Sequence, residues 1–325
     1  MRVLVTGSEG SLMQAVIPLL LKKKYVVYGV DNLARYGERL GIAGNDYQFI
    51  KCDLTDRISV EKLIENTRPD CIIQAAATIY GVGGFNKYCG EMYKDISLHD
   101  NVLRAAVKNG VLKVIYISSS MVYENCPQKI GYPVSEDIVD ANPAPYTDYG
   151  LSKFVGERVS KAYLKQHNLK YTIWRPFNII TPYEKSEDAE VGISHVFADY
   201  IKNIVIEKKH PLPIIGDGNQ VRCFTWIDDV AQAIVDWSFD EKTKNEKNAK
   251  TAFEQRVRES KEKAIKENIT AATKSGNQLT QTIDEEGNLI SIGGSTQEKA
   301  LTTGDESISV PSGFLIVILP PVSLD

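Results

Sequence analysis

Residues 3–15 read VLVTGSEGSLMQA and join a short apolar run to a helical segment through a glycine-containing turn. The apolar run Met1–Thr6 has the length of a buried strand, and Ser11–Lys22 has the pattern of a helix. Gly7 and Gly10 lie between the two. A strand that passes through a glycine turn directly into a helix is the opening of a βαβ unit, so this stretch predicts a parallel sheet.

The same alternation of apolar runs and helical segments continues along the first half of the chain. Further strands are predicted at Tyr25–Asp31, Tyr47–Asp53, Cys71–Ala76, Val111–Ser118 and Lys170–Arg175. Helices are predicted at Val60–Asn66, 94–109 and Thr147–Gln166. Because right-handed crossovers place helices on both faces of such a sheet, we predict an α/β fold. Its doubly wound, Rossmann-like parallel sheet is followed by a small substrate-binding part and an atypical C-terminal segment.

Composition excludes several classes of protein. The chain has 325 residues, 43% of them hydrophobic, which is enough for one large or two moderate domains. A net charge of −4 with interleaved signs predicts neither a nucleic-acid partner nor a membrane partner. Five scattered cysteines without metal-ligand spacing predict reduced thiols, no metal site and a cytoplasmic location. The first strand begins at the first residue, so no signal peptide is expected, and the apolar stretch GFLIVIL is too short to cross a bilayer.

The glycine turn and the end of the second strand together indicate a dinucleotide site. Gly7 and Gly10 let the backbone approach a pyrophosphate, whose charge would lie at the helix N-terminus. Asp31 at the end of the second strand can accept hydrogen bonds from a ribose diol and repel a 2′-phosphate, which favours NAD over NADP. Met13 stands where the fingerprint has its third glycine. The competing interpretation is a plain turn, but the strand–turn–helix context and the acidic residue favour the dinucleotide.

The stretch YGLSK, residues 149–153, supplies a tyrosine one helical turn before a lysine. In a nicotinamide site, such a tyrosine can exchange a proton with a substrate hydroxyl. Its pKa of about 10 is too high for a base at neutral pH, so we expect two positive charges, the ammonium of Lys153 and the nicotinamide ring, to lower the pKa of Tyr149. The stretch ISSSMVYE at 117–124 offers a hydroxyl partner at the carboxyl end of a central strand.

At this point the chain resembles the extended short-chain dehydrogenases/reductases of the NAD-dependent epimerase/dehydratase family, which act on nucleotide sugars. The resemblance covers roughly residues 1–238 and is carried, in family order, by LVTGSEG, GVDNL, KCDLTD, IIQAAA, ISSSMVYE, YGLSK, WRPFNI and GDGNQVRCFTWIDDVAQAI. It implies a family domain over 1–239, with an NAD-binding core over about 1–178 and substrate-binding elements over about 179–226. Residues 240–325 fall outside the family pattern.

The resemblance also implies roles for individual residues. The catalytic residues are Ser119, Tyr149 and Lys153. Cofactor contacts are implied for Gly7, Gly10, Asp31, Asn32, Asp53, Leu54, Ala76, Ala77, Tyr149, Lys153 and Phe177. A nucleotide-diphosphate sugar would be bound by Ser120, Asn178 and Arg222, the last through its affinity for phosphate. Asp95 stands where the family usually has an asparagine, so that contact is not carried over. The helices at 94–109 and 147–166 would pair with their copies in a homodimer through apolar side chains, namely Leu98, Val102, Phe154, Val155 and Ala162.

The residues after Ser119 help to choose the reaction. Where related 4,6-dehydratases have an Asp-Glu pair, this chain has Ser120 and Met121, and a thioether does not titrate. Related decarboxylases and 3,5-epimerases need a Glu or a Cys at the position of Met121. The remaining chemistry is NAD-dependent C4 epimerisation through a transient 4-keto sugar. A C4 reductase or dehydrogenase is the alternative, and a non-catalytic NAD-binding relative is suggested by Met13 and the unusual C-terminal segment.

The segment 240–325 predicts little packed structure. A charged stretch carries only a thin helical stripe of apolar residues, and QTIDEEGNLISIGG predicts a hairpin with a Glu-Gly-Asn turn. SISVPSGFLIVILPPVSLD predicts a strand broken by prolines. The segment is either a poorly packed appendage or an oligomerisation module.

Three other stretches have ordinary interpretations. GVGG at 81–84 is either a plain turn or a substrate-facing loop. His195 is interpreted as a packed helix residue. Asp228 and Asp229 are interpreted as caps of the helix that follows them.

Overall fold

The computed structural model describes residues 1–42, 44–127, 134–186, 190, 192–212, 215–216 and 222–239, and three short strand segments at 279–283, 289–294 and 316–317. The chain divides into two units. The first comprises Met1–Glu246 with Ile316–Asp325, and the second comprises Lys247–Leu315.

A six-stranded parallel sheet forms the centre of the first unit. Its strands are β1 (Arg2–Thr6), β2 (Val26–Asp31), β3 (Tyr47–Lys51), β4 (Cys71–Gln74), β5 (Lys113–Ile117) and β6 (Lys170–Trp174). Their order is β3-β2-β1-β4-β5-β6, and all neighbours are parallel. The order reverses between β1 and β4, which opens a crevice at the carboxyl ends of these strands. The predicted doubly wound sheet is confirmed.

Helices connect the strands and cover the sheet. They are α1 (Ser11–Lys22), α2 (Arg57–Thr67), α3 (Val82–Lys87), α4 (Lys94–Lys108), α5 (Ile138–Ala141), α6 (Asp148–His167), α7 (Val196–Tyr200) and α8 (Ile227–Trp237). Short 3₁₀ turns lie at Cys89–Tyr93 and Ser120–Tyr123, and a π-helical turn lies at Ile201–Ile206.

Alternation along β1 explains why helices are needed on both faces. Val3 and Val5 pack into a cluster with residues of α1 and α8, whereas Leu4 between them packs into a second cluster with α2 and α4. Successive side chains of a strand point to opposite faces, so a strand that is apolar at every position must be covered twice. Met13 is fully buried in the first cluster, where it serves as a core residue of α1.

Local capping sets the helix boundaries more closely than periodicity could. The side chain of Asp56 accepts a hydrogen bond from the Ile58 backbone N–H at 3.1 Å, so α2 begins at Arg57, before the predicted Val60. Thr147 caps α6 by accepting from Gly150 N–H at 3.0 Å.

One predicted cap is wrong. Helix α8 begins at Ile227 after Trp226, so Asp228 and Asp229 lie inside its first turn. There their negative charges interact favourably with the positive end of the helix dipole, but their side chains do not cap the helix.

The remaining strands are short. Strand β7 (Ile179–Ile180) pairs in parallel with β9 (Thr225–Trp226), and β8 (Arg222–Cys223) pairs antiparallel with β12 (Ile316–Val317). In the second unit, β10 (Leu279–Ile283) and β11 (Leu289–Gly294) form an antiparallel pair, as the predicted hairpin requires. The predicted turn residues, the charged stretch and the rest of the proline-broken strand lie outside the described residues.

Candidate active site

The turn after β1 is shaped by a close approach of two backbones. Gly7 has a φ of +65°, and a Cβ placed on it would lie 2.8 Å from the backbone nitrogen of Ala76. The hydroxyl of Thr6 accepts hydrogen bonds from the backbone N–H groups of Ala75 and Ala76, both at 3.1 Å. These contacts fix the ends of β1 and β4 against each other at the point where the strand order reverses. A side chain at position 7 would break this arrangement.

Gly10 completes the turn and precedes α1. Its backbone N–H donates to the carbonyl of Gly7 at 3.0 Å. The first N–H groups of α1 have no partners within the helix, which makes this end of the helix suited to an anion. The pyrophosphate contact of this turn stays a prediction.

Asp31 lies at the end of β2 and is held by two backbone donors. Its carboxylate accepts from Glu9 N–H at 3.1 Å and from Leu33 N–H at 2.8 Å. Each carboxylate oxygen has a second lone pair, so the group can still accept from a ribose. The exposed Asn32 next to it accepts from Ala34 N–H at 3.0 Å.

Glu9 is a residue of this region that the sequence interpretation missed. It is buried, and its carboxylate accepts from the backbone N–H groups of Arg39 and Leu40. It therefore ties the loop after β2 to the glycine turn. Its position inside the glycine turn is the only signal in the sequence, and its partners thirty residues away could not be foreseen.

The predicted adenine-side and channel residues lie at the ends of β3 and β4. Asp53 is exposed and caps its own turn by accepting from Thr55 N–H at 2.9 Å. Leu54 is buried, and Ala76 and Ala77 are half-buried beside the glycine turn. The structure thus brings these residues to the same edge of the sheet as Gly7.

Ser119, Tyr149 and Lys153 are brought together. Ser119 follows β5, and its hydroxyl accepts a hydrogen bond from Met121 N–H at 3.2 Å. Tyr149 lies in the first turn of α6, and the Ser119 hydroxyl favours the ionised form of its phenol. Lys153 lies one turn further along α6 and donates to the carbonyl of Ile117 at 3.2 Å. Its ammonium lies 5.8 Å from the centre of the Tyr149 ring. Tyr149 and Lys153 are only 7% and 2% exposed, so both groups act in a site almost free of water.

The expectation that Lys153 lowers the pKa of Tyr149 is wrong for this structure. Burial raises the pKa of Tyr149 to about 12, the hydrogen bond from Ser119 opposes the rise, and the charge of Asp95 adds to it. Burial also lowers the pKa of Lys153. Desolvation penalises the charged forms of both groups, and in this site it exceeds the attraction that the sequence reasoning relied on.

Two further residues contact this cluster and were not predicted to do so. Phe85 of α3 stacks on the ring of Tyr149, with ring centres 4.7 Å apart and planes 11° apart. Asp95 at the start of α4 is buried, and both of its carboxylate oxygens lie within hydrogen-bond distance of Thr78 N–H. No local pattern points to Phe85, whereas Asp95 was visible only as a departure from asparagine.

A buried ion pair holds together the two elements that carry the cluster. The guanidinium of Arg175 contacts both carboxylate oxygens of Glu157, at 2.9 and 2.6 Å, and Glu157 also accepts from the hydroxyl of Ser118 at 2.6 Å. Because Glu157 lies on α6 and Ser118 directly precedes Ser119, the pair fixes α6 against the end of β5.

The predicted substrate-binding residues are more exposed. Ser120 donates its backbone N–H to Pro176 at 3.1 Å, and Phe177 stacks on Tyr123 with ring centres 6.0 Å apart. Asn178 is exposed, and its carbonyl accepts from Thr225 N–H at 3.2 Å.

The pairing of β7 with β9 brings Asn178 close to the strand that follows Arg222. Arg222 itself is exposed in β8. These two residues therefore belong to the same region of the molecule.

The GVGG stretch is neither a plain turn nor a free loop. It begins α3, and the N–H groups of Gly81 and Gly83 donate to the carbonyls of Ile193 and Gly192 at 2.7 and 3.0 Å. A Cβ on Gly81 would lie 2.2 Å from the carbonyl oxygen of Ser194. Close docking of α3 against this segment is what carries Phe85 to Tyr149.

His195 is not a packed helix residue. It precedes α7, and its ring Nδ1 lies 2.7 Å from the carboxylate of Glu184.

Comparison with known proteins places the chain in a family. A sequence model of the NAD dependent epimerase/dehydratase family matches residues 3–246. A putative UDP-glucose 4-epimerase of Methanocaldococcus jannaschii is 30% identical over 236 residues, which cover 71% of each chain. A GDP-L-fucose synthase of Sinorhizobium fredii is 25% identical over 240 residues, 72% of this chain and 69% of that protein. The crystal structure of UDP-glucose 4-epimerase from Thermus thermophilus in complex with NAD is 26% identical, with a TM-score of 0.62 over 74% of this chain and 75% of that chain.

The fold and the glycine turn define a dinucleotide-binding protein of the doubly wound class. The chain belongs to the NAD-dependent epimerase/dehydratase family, since the family match spans most of its length. The predicted family, fold class and cofactor, NAD, are thereby confirmed.

The described residues also bear on membrane and metal binding. Within the described part of the chain, no helix is both long and apolar enough to span a membrane. Among the same residues, no group of three or more His, Cys, Asp or Glu side chains is arranged to hold a metal ion.

Proposed function

We propose that the protein is an NAD-dependent nucleotide-sugar 4-epimerase. The observation that carries this proposal is the buried cluster of Ser119, Tyr149 and Lys153 at the carboxyl end of β5. The residues that follow Ser119 are Ser120 and Met121, neither of which can act as an acid or base at neutral pH. The cluster therefore supports proton transfer at one hydroxyl and offers no second acid or base from this turn for a dehydration.

The residues of the chain fit the cofactor. Gly7 leaves no Cβ in the turn, Gly10 precedes the free N–H groups of α1, and Asp31 retains acceptor capacity for a ribose. Bound NAD would accept a hydride from C4 of the sugar and return it. Lys153 would contact the nicotinamide ribose from α6.

Tyr149 is the proton-transfer group in this proposal. Its ionised form, the phenolate, would take the proton of the C4 hydroxyl as the carbonyl forms. After rotation of the keto sugar, the phenol would return that proton to the C4 oxygen while the hydride is added to the opposite face of C4. Ser119 would hold the sugar oxygen by its hydroxyl, which favours the ionised form of the Tyr149 phenol. Because burial raises the pKa of Tyr149 to about 12, the phenol is protonated in the free protein. A positive charge next to it on cofactor binding would favour its ionisation.

The substrate class follows from the diphosphate-binding residues and from the relatives. Asn178 and Arg222 are exposed, and a guanidinium binds phosphate through two oxygens. The M. jannaschii and T. thermophilus relatives are described as UDP-glucose 4-epimerases. These likenesses support a nucleotide-diphosphate sugar as the substrate.

A C4 reductase or dehydrogenase is the second candidate. The same three residues would perform either half of the epimerase reaction, and the similarity to a GDP-L-fucose synthase shows that the family is not limited to 4-epimerases. The two candidates differ in their use of the cofactor, since an epimerase regenerates NAD in every turnover.

The experiment that separates them is incubation with UDP-, GDP- and dTDP-sugars followed by separation of the products. An epimerase yields the C4-inverted sugar without net formation or consumption of NADH. Stoichiometric NADH consumption with a reduced sugar would identify a reductase. NAD binding without conversion of any sugar would identify a non-catalytic relative.

We further propose the domain division expected from the sequence and a homodimer. The catalytic domain would cover 1–239, with substrate-binding elements over about 179–226. Leu98 and Val102 do not support the dimer, because they are buried within the chain's own core. Phe154 and Val155 on α6 remain partly exposed and support it. A monomer mass that does not change with concentration would contradict the dimer.

A further inference from the structure

Lys153 carries a buried charge that one hydrogen bond does not satisfy. The residue is 2% exposed, and within the described part of the chain its ammonium makes one hydrogen bond, to the carbonyl of Ile117 at 3.2 Å. An ammonium has three N–H donors, so two of them remain for other partners. A buried charge is costly unless further groups attract it. The face of an aromatic ring is such a group, because the ring carries its negative charge on its faces.

Two tyrosine rings lie close to this ammonium. Lys153 Nζ lies 5.5 Å from the centre of the Tyr116 ring and 5.8 Å from the centre of the Tyr149 ring. Both distances are inside the range of about 6 Å in which a ring face attracts a cation. Tyr149 is the proposed proton-transfer group, so its own charge changes during the reaction. Tyr116 has no part in that step, and its ring can attract the ammonium throughout.

The ring of Tyr116 is itself fixed by packing. Tyr116 lies on β5 and is 4% exposed. The imidazole of His99 on α4 lies against it, with ring centres 4.2 Å apart and planes 31° apart. A Cβ on Gly156 of α6 would lie 2.2 Å from the hydroxyl oxygen of Tyr116, so the ring fits here because residue 156 has no side chain. Contacts from two helices therefore determine where the ring lies.

His99 supports the ring without adding a second charge to it. Its Nε2 lies 2.9 Å from the hydroxyl oxygen of Ser160, and that hydroxyl donates to the carbonyl of Gly156 at 3.0 Å. Because the hydrogen of Ser160 is used in that bond, Nε2 is the donor to the hydroxyl oxygen. Burial lowers the pKa of His99 to about 3, so the imidazole is neutral at neutral pH. A neutral imidazole does not repel the ammonium of Lys153 from the ring of Tyr116.

We propose that Tyr116 is a positioning residue whose ring face holds the ammonium of Lys153 in place for the cofactor and for Tyr149. The proposal rests on the proposed function, because that function assigns the nicotinamide ribose to Lys153. With the ring and the Ile117 carbonyl fixing the ammonium in the free protein, NAD binding does not have to order it. Loss of the attraction should therefore weaken NAD binding, and should do so only through Lys153.

The attraction can be removed while the shape of the ring is kept. Tyr116→Phe removes the hydroxyl and keeps the ring face, so we expect it to bind NAD like the parent. A ring-trifluorinated phenylalanine at position 116 has nearly the same shape, but its fluorine atoms withdraw negative charge from the face. We expect NAD to bind this variant about 5- to 30-fold more weakly than Tyr116→Phe. Isothermal titration calorimetry with NAD measures both affinities.

A second background shows whether the effect passes through Lys153. The two replacements of Tyr116 are repeated in Lys153→Met, which has no charge for the ring to attract. Residues that act through each other are not additive, so NAD affinity in this background should be the same with either ring. A ring that only fills space would change NAD affinity equally in both backgrounds. Equal changes, or no change where Lys153 is present, would overturn the proposal.

Urea unfolding of the free protein tests the same contact without cofactor or sugar. The fluorinated ring should lower the unfolding midpoint, relative to Tyr116→Phe, more where Lys153 is present than in Lys153→Met, because only the ammonium loses an attraction. Equal changes in both backgrounds would overturn the contact between Tyr116 and Lys153. If unfolding and NAD binding both show the dependence on Lys153 but no sugar is converted, the epimerase is rejected and the positioning role of Tyr116 is retained.

Discussion

The candidate active site and the proposed substrate-binding region differ sharply in how they are held. Ser119, Tyr149 and Lys153 are buried. Ser119 follows a strand of the six-stranded sheet, whereas Tyr149 and Lys153 lie on the 20-residue helix α6, and Lys153 is held by its hydrogen bond to the carbonyl of Ile117. The region over about 179–226 contains strands of two residues, and apolar side chains of its π-helical turn, such as Ile206, are exposed.

This difference indicates which part of the molecule determines the reaction and which part determines the choice of substrate. A buried polar cluster needs a scaffold that holds every partner, because an unpaired charge in a dry site is costly. A binding region with little core of its own can change its contacts without disturbing that scaffold. Substitutions in the first region should therefore affect turnover or stability, and substitutions in the second should affect substrate binding.

The largest effect is expected for Tyr149→Phe. The ring keeps its stacking on Phe85 but loses the oxygen that transfers the proton. Turnover should fall by roughly 10²–10⁴, the usual contribution of a positioned acid or base, while NAD affinity stays nearly unchanged. Steady-state kinetics and NAD titration measure the two. If the variant turns over like the parent, the catalytic interpretation of this region is wrong.

The next effect is on stability and concerns the ion pair behind the site. Arg175→Met leaves the buried carboxylate of Glu157 without its partner, which should lower the free energy of unfolding by about 3–5 kcal/mol. Urea denaturation provides the measurement. As a control, Arg57→Met removes an exposed ion pair with Glu61 and should cost about 0–1 kcal/mol. Equal costs for the two would mean that the scaffold does not depend on buried charge.

In the substrate-binding region, Arg222→Met should act on KM. Loss of a charge-assisted contact to a diphosphate costs about 1.5–3 kcal/mol, so KM for the sugar nucleotide should rise roughly 10- to 100-fold with kcat little changed. Arg104→Met makes the same change on the exposed side of α4 and should leave KM as it is. A fall in kcat without a change in KM would place Arg222 with the catalytic cluster instead.

The smallest effect is expected for the loss of one methyl group, compared between a buried and an exposed isoleucine. Ile73→Val in β4, where the residue is 0% exposed, should cost about 0.5–1.5 kcal/mol of unfolding free energy. Ile206→Val, where the residue is 71% exposed, should change it by less than about 0.5 kcal/mol. Similar costs at both positions would show that Ile206 is covered in solution, for example by a second subunit.

The sequence was sufficient to predict the sheet because its signals are local. Runs such as Val3–Val5 and Val114–Ile117 are hydrophobic at every position, and parallel strands buried on both faces require such runs. The glycine turn was predictable because Gly7 has a conformation that few other residues adopt. The pairing of Tyr149 with Lys153 followed from helix geometry.

What could not be predicted depends on contacts between distant residues. The direction of the Tyr149 pKa shift depends on burial under Phe85, and Phe85 is placed by the docking of Gly81 against Ile193 and Ser194. Leu98 is a second example. Its apolar side chain was predicted to lie in a dimer interface, but the fold covers it within the same chain. Periodicity identifies an apolar face but not its partner.

The most direct test of the central claim is the fate of a label at C4. The protein is incubated with catalytic NAD and a UDP-sugar carrying deuterium at C4, and the product is analysed by NMR and mass spectrometry. If the hydride leaves C4 and returns to the same carbon, the C4-inverted product retains its deuterium and no NADH accumulates. Loss of the label to NAD, or recovery of the sugar with its original C4 configuration, would contradict a 4-epimerase.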